Sequence, residues 1–178
     1  MADKTEILMA GFGGQGIQFA AKMVANCGLA AEKTVTVFPS YGPEARGGTS
    51  SCSVIVSDSE IGSPIVSEPD ILMVLTLLAF NKFISKVKSG GMLFVDSSLI
   101  FKKTERDDIK IYEVPATAMA LDNNLVGSAN VIMLGKFIAE TKLFSREEFL
   151  ATMAAEVPDS RAAMREKNAK AFDLGFEF

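Results

Sequence analysis

Histidine and tryptophan are absent from the 178 residues, and only two cysteines and two tyrosines occur. Lack of histidine removes the most versatile general base near neutral pH and the commonest transition-metal ligand together. A self-sufficient hydrolase or metalloenzyme is therefore not expected. Cys27 and Cys52 stand 25 positions apart with no Cys-x-x-Cys pair, so the chain offers no iron–sulfur or zinc framework. Both read as small buried hydrophobes in a reducing cytoplasm. No basic run interleaved with aromatics appears and the net charge is −4, which speaks against nucleic acid as a partner. The longest apolar run, Ile71 to Phe80, is broken by Thr76 and is too short to span a bilayer, so no membrane is expected. Met1 to Glu6 carries no cationic region ahead of an apolar segment; the expectation is no export signal and a cytoplasmic location.

What is present is apolar residues, at 48% of the chain, and glycine placed in clusters. The length suits one domain, 1–178, with a full core, and the excess of apolar surface suits a partner subunit. The chain is organised around Ile7 to Ile17, where a short apolar run breaks into Gly11, Gly13, Gly14 and Gly16 and resumes as a helical pattern. Glycine there allows a sharp turn or a close approach, and a helix opening at about Gln15 directs free N–H groups into the space. The spacing Gly11-x-Gly13-x-x-Gly16 matches the dinucleotide fingerprint, which also expects a carboxylate at the end of the second strand. Here Thr34 to Phe38 ends in Pro39-Ser40, and Glu32 precedes the strand. That omission weakens a nicotinamide or flavin reading; close strand-helix packing is the plain alternative.

Periodicity predicts a strand over 6–10 and a helix from Gln15 to about Leu29. A strand over 35–38 follows, giving a Rossmann-like first β-α-β. Ser51 to Ser57 is β-rich and Ile61 to Val66 extended, which predicts a hairpin and a mixed sheet. Asp70 to Leu75, Met92 to Val95 and Lys110 to Val114 read as further strands. Phe80, Phe83, Ile84 and Val87 predict a helix ending at Gly90-Gly91, and Pro115 opens another to about Leu121. Asn130 to Ile138 is a helix apolar nearly all round. Phe144 to Phe149 carries a capping box, Ser145 with Glu148, and a staple of Phe144 on Phe149. A last helix is predicted from Ser160 to Phe172, with Gly175 just beyond it. The fold class is α/β, three-layer α/β/α with a mixed, mostly parallel sheet.

The second glycine-rich loop, Tyr41-Gly42-Pro43-Glu44-Ala45-Arg46-Gly47-Gly48-Thr49, mixes exposed backbone with an aromatic and a charged pair. In an open α/β sheet both glycine loops emerge at carboxyl ends of adjacent strands, where ligands bind. Arg46 can clamp a carboxylate or phosphate, or pair with Glu44. Gln15 can donate to a ligand or cap the helix. Asn130 can bind a ligand or satisfy backbone at the start of the buried helix. Tyr41 has a ring to pack on a partner and a hydroxyl to keep wet. Asp96-Ser97-Ser98 reads as an ordinary strand-end turn.

Taken in order, Gly11 to Ile17, Tyr41 to Gly48, Ser67-Glu-Pro-Asp70, Asn130 with Leu134-Gly135, and Asn168 with Ala171-Phe172 and Gly175 resemble the gamma subunit of the 2-oxoacid:ferredoxin oxidoreductases. The resemblance covers essentially the whole chain. It implies a subunit of a complex with alpha, beta and delta chains, which decarboxylates a 2-oxoacid, passes electrons to ferredoxin and hands the acyl group to coenzyme A. Thiamine diphosphate, magnesium and iron–sulfur clusters are then held by the partner subunits and none by this chain, which acts as scaffold and active-site wall. Such a chain is expected to be inactive alone and prone to self-association. Pyruvate-type relatives tend to follow Arg-Gly with Ala-Pro where this chain has Gly48-Thr49, which tilts the expected substrate toward 2-oxoglutarate or a branched-chain 2-oxoacid. The alternatives are a subunit of indolepyruvate oxidoreductase and a stand-alone nucleotide-binding oxidoreductase.

Overall fold

A computed structural model describes residues 4–41 and 49–178. The first apolar run becomes β1 (Lys4–Phe12), of which residues 6 to 10 are the middle. Successive side chains leave it on opposite faces: Ile7 and Met9 enter one apolar cluster, Leu8 and Ala10 a second. Burial on both faces is why this strand is a continuous apolar run rather than an alternating one.

Helix α1 (Ile17–Ala30) begins two residues after the expected Gln15. Gly14 and Gly16 hold φ of +96° and +74°, in the left-handed region closed to a right-handed helix, so the turn ends only at Ile17. Strands β2 (Thr34–Tyr41), β3 (Thr49–Ser57), β4 (Ile71–Val74), β5 (Met92–Asp96) and β6 (Lys110–Val114) complete one sheet in the order β2-β3-β1-β4-β5-β6. β1, β4, β5 and β6 run parallel, whereas β3 is antiparallel to both β1 and β2. The mixed, mostly parallel sheet stands as expected.

β2 runs parallel to β1 after α1, as the β-α-β reading expects, but the two strands are not adjacent, because β3 lies between them. Strand β3 is buried along nearly its whole length and pairs with β1 from Lys4↔Ser57 to Phe12↔Thr49. Most of β2 is exposed, and its Pro39 has no N–H to give a ladder, so β2 takes the edge. The expected hairpin is also re-partnered: β3 pairs with β2, while residues 61–66 form no strand. Instead Val66 is buried and Ile61 packs against the second cluster.

On one face of the sheet the first cluster joins α1, α3 (Ala116–Asp122), α4 (Ala129–Thr141), α5 (Arg146–Ala155) and α6 (Ala162–Glu177). The opposite layer is thin: α2 (Leu77–Phe83) with Val66, Ile100 and Ile109. Thr76 caps α2, its Oγ1 accepting from the Ala79 N–H at 3.3 Å. The predicted helix to Val87 tightens into a 3₁₀ turn over Ile84–Lys86, where Arg106 donates to the Ile84 and Val87 carbonyls at 3.3 and 2.8 Å. The capping box of α5 is present on both arms: Glu148 N–H to Ser145 Oγ at 3.2 Å, and Ser145 N–H to Glu148 Oε2 at 2.8 Å.

Helix α6 does not stop before Gly175 but runs through it to Glu177. Its glycine is a contact residue. A β-carbon on Gly175 would lie 1.8 Å from the Ile132 carbonyl oxygen of α4, and one on Gly135 would lie 2.0 Å from the Phe172 carbonyl oxygen of α6. The two backbones touch, so a residue that reads as a stop signal is consumed by helix packing.

Candidate functional site

The glycine turn leaves β1 at its carboxyl end and is held by one side chain. Gln15 Oε1 accepts from the Phe12 N–H at 2.7 Å, and Gln15 Nε2 donates to the Leu75 carbonyl at 3.2 Å. Leu75 follows β4 directly, and its own N–H returns to the Ala10 carbonyl at 3.0 Å. Gln15 thus fastens the turn across the β1–β4 seam instead of capping α1. Gly11 leaves space for that amide, since a β-carbon there would stand 2.6 Å from Gln15 Oε1. A β-carbon on Gly13 would meet nothing within 4 Å.

Asn130 takes the second of its two readings. From the first turn of α4 its Nδ2 donates to the Gly16 carbonyl at 3.3 Å, the same oxygen that accepts the first helical bond of α1 from Ala20 at 2.9 Å. It fills the position a side chain at residue 16 would need, with Nδ2 2.3 Å from a β-carbon built there. In the first turn of α1, Gln18 Nε2 is buried without a hydrogen-bond partner among the described residues.

Gly14, Gln15 and Asn130 are brought together around a cavity of ≈220 Å³, closed by Leu75, Thr117 and Leu121. Sequence reading missed Thr117 and the residue that sets it. Asp96 at the carboxyl end of β5 is fully buried; its Oδ2 accepts from Thr117 Oγ1 at 2.6 Å and its Oδ1 from the Ser98 N–H at 3.1 Å. A carboxylate ending a buried parallel strand, with a hydroxyl in the first turn of the helix opened by Pro115, is a signal the sequence carried.

Of the second loop, Gly42, Pro43, Glu44, Arg46, Gly47 and Gly48 lie outside the described residues, as does the Tyr41 side chain. The strands that flank it are described. Register sets Tyr41 opposite Ser50 and Ser50 opposite Gly11, so both ends of the segment are level with the glycine turn, although β1 and β2 are not neighbours. Around the same end stand exposed Phe12, Leu77, Leu78, Leu99, Leu121 and Val126, the last two 57% and 66% exposed. That is an apolar rim rather than a solvated one.

Among the described residues the donor set does not suit a metal or a cluster. Burial raises the thiol pKa of Cys27 and pushes that of Cys52 up to about 11, and the two sit on different elements, α1 and β3. Among the described residues no group of three Cys, Asp or Glu side chains is placed to hold an ion. The cavity itself is smaller than the roughly 300–1,000 Å³ of ordinary small-molecule sites. Among the described residues no helix is long and apolar enough to cross a membrane.

Other motif residues have structural duties. Asp70 accepts the Glu6 N–H at 2.7 Å and an ammonium hydrogen bond from Lys88 at 2.8 Å, tying β1 to β4 at the far end of the sheet. Gly135, Phe172 and Gly175 form the α4–α6 crossing.

Comparison with known proteins places these features in a family. The model of the pyruvate ferredoxin/flavodoxin oxidoreductase family matches residues 6–178. The 2-oxoglutarate synthase subunit KorC of Methanocaldococcus jannaschii is 37% identical over 177 residues, which is 98% of this chain and 93% of that protein. The keto/oxoacid ferredoxin oxidoreductase gamma subunit of Geobacter sulfurreducens superposes with a TM-score of 0.82 at 34% identity, covering 97% of this chain and 96% of that one. The 2-oxoglutarate:ferredoxin oxidoreductase of Magnetococcus marinus, solved with 2-oxoglutarate, coenzyme A and succinyl-CoA, contains the same fold. Its TM-score is 0.87 at 22% identity, over 98% of this chain and 31% of that one. The chain belongs to the pyruvate ferredoxin/flavodoxin oxidoreductase family, with the size and fold of its gamma subunits.

Proposed function

We propose that this chain is the gamma subunit of a multi-subunit 2-oxoacid:ferredoxin oxidoreductase in which it serves as scaffold and as one wall of the active site. The complex converts a 2-oxoacid and coenzyme A to acyl-CoA and carbon dioxide, and delivers two electrons to ferredoxin. The observation that carries this reading is the mismatch between a redox family and a chain with no histidine and two buried thiols of raised pKa. The redox groups then belong to partner alpha, beta and delta subunits, which supply thiamine diphosphate, magnesium and the iron–sulfur clusters. The expected location is the cytoplasm.

The glycine turn, with Gly11, Gly13, Gly14, Gln15 and Gly16, and the loop carrying Tyr41, Glu44 and Arg46 form the face toward the assembly, beside the approach of coenzyme A. The apolar rim at that end supports a protein neighbour there. The substrate reading is 2-oxoglutarate or a branched-chain 2-oxoacid. It rests on the name of the Methanocaldococcus relative and on Gly48-Thr49 after Arg46-Gly47.

The test is co-purification of the complex, identification of its chains, and assay of 2-oxoglutarate, 2-oxoisovalerate and pyruvate with coenzyme A and a low-potential acceptor. Arg46→Ala in the assembled complex is expected to impair acyl transfer or assembly. Unchanged kinetics in a purified, fully assembled variant would remove Arg46 from the proposal. A flavin, nicotinamide or metal held tightly by the lone chain, with turnover to match, would overturn the scaffold reading.

A further inference from the structure

Helix α3 contributes Thr117, Ala120 and Leu121 to the ≈220 Å³ cavity that Gly14, Gln15 and Asn130 share. The helix is seven residues long, and Pro115 at its start gives no side-chain cap. Its first turn is held instead by the turn that follows β5. Asp96 Oδ2 accepts from Thr117 Oγ1 at 2.6 Å, and Asp96 Oδ1 accepts from the Ser98 N–H at 3.1 Å and the Thr117 N–H at 3.4 Å. Ser98 Oγ accepts from the Ala118 N–H at 3.0 Å. Asp96 does not line the cavity itself but is bonded to the residue that does.

Holding α3 does not by itself call for a carboxylate, which is costly to bury. Asp96 is fully buried, and among the described residues no ammonium or guanidinium pairs with it. What a carboxylate does that an amide cannot is fix the direction of the Thr117 hydroxyl. An ionised carboxylate only accepts, so the Thr117 O–H donates to it and the hydroxyl keeps lone pairs alone for a second partner. An amide at position 96, with its oxygen kept on the two N–H groups, would turn its NH₂ to Thr117 and reverse that hydroxyl. The neighbouring amides already have duties: Gln15 spans Phe12 and Leu75, and Asn130 holds the Gly16 carbonyl. The cavity has room for one group of a larger molecule rather than the whole of it.

We propose that Asp96 is a positioning residue for acyl transfer: it sets Thr117 as a fixed hydrogen-bond acceptor for an N–H or O–H of coenzyme A, resting on the reading that the glycine-turn end faces the approach of that molecule.

The test uses the assembled complex, with initial rates measured against coenzyme A and against the 2-oxoacid. Asp96→Asn, which reverses the hydroxyl, and Thr117→Val, which removes it at similar shape, should each raise the KM for coenzyme A about fivefold, as the loss of one hydrogen bond does. The kcat and the KM for the 2-oxoacid should stay within about twofold. Thr117→Ser, which keeps the hydroxyl, should stay within about twofold on all three. The double variant Asp96→Asn/Thr117→Val should be no worse than either single, because both remove the same bond. A lowered melting temperature with an unchanged KM for coenzyme A would make Asp96 purely structural and overturn the proposal. An unchanged KM in Thr117→Val would do so even where Asp96→Asn does not assemble. Hydrogen exchange of the wild-type complex separates the two levels of the reading. Lack of protection by coenzyme A over residues 11–17 and 116–121 would remove the placement of coenzyme A and this proposal with it. Protection there, with an unaltered KM in the variants, would sink the role of Asp96 alone.

Discussion

The contact between Gly16 and Asn130 can be tested as a pair. Gly16→Ala places a β-carbon at φ +74° and 2.3 Å from Asn130 Nδ2. The left-handed conformation costs an alanine about 1–2 kcal/mol, and driving the Asn130 amide off the Gly16 carbonyl forfeits a further ~0.5–1.5 kcal/mol. Asn130→Ala forfeits that same hydrogen bond, ~0.5–1.5 kcal/mol, and empties the space the new methyl needs. The double variant therefore loses the bond once, not twice, and is relieved of the clash. Its destabilisation should fall short of the sum of the singles by about 1 kcal/mol. Urea unfolding of the four proteins, with slopes compared for two-state behaviour, measures it. Strictly additive losses would mean that α4 does not hold the start of α1 through this amide, and the site geometry drawn from it would fall.

Three further expectations use other parts of the molecule. Gly175→Ala, with a β-carbon 1.8 Å from the Ile132 carbonyl oxygen, has only backbone to displace and should cost about 3 kcal/mol; a melting temperature within a degree of wild type would show that α6 can slide. Glu6 is partly buried, which raises its pKa, but Lys88 and Lys4 outweigh that and hold it below the ordinary 4.5. A carboxylate lowered in the folded state stabilises above its unfolded value and loses that contribution as pH falls through the folded one. The acid limb of stability below about pH 4.5 should thus be shallower in Lys88→Met than in wild type, and identical limbs would contradict the linkage. Finally, with Cys52 pushed up to about 11, roughly one thiol in a thousand is ionised at pH 8. Neither cysteine should react with a thiol reagent in the native protein at a rate exceeding global unfolding, and a fast-labelling residue would show an opening near α1 or β3.

How much of this was legible depends on how local the cause is. Ser145 with Glu148, and the apolar runs of β1, β4 and β5, are fixed by neighbours in the chain, and their elements emerge where the pattern puts them. Strand order is not local. Nothing within 34–41 says that it will be an edge except Pro39, and the insertion of β3 follows from its burial on both faces, which competes with β2 for the slot. Gly175 misleads for the same reason: a glycine near a helix end signals a stop unless another backbone lies against it, and that backbone is 43 positions upstream at Ile132. Within the site, Gly14, Gln15 and Asn130 stand out by residue type, but that they meet around one cavity depends on the topology. The role of Gln15 as a tie to Leu75, and of Asp96 as the anchor of Thr117, required the topology.

The interposed antiparallel strand also governs how this chain must be made. β1 is flanked only by β3 and β4, so its lateral partners begin at Thr49 and Ile71. A nascent polypeptide emerging from the ribosome therefore exposes one oily ribbon, bare along both margins, until roughly a third of the protein has been translated. Pairing contacts that span such separations close slowly. The vulnerable interval for this fold is early in synthesis, and shelter by a chaperone matters most there.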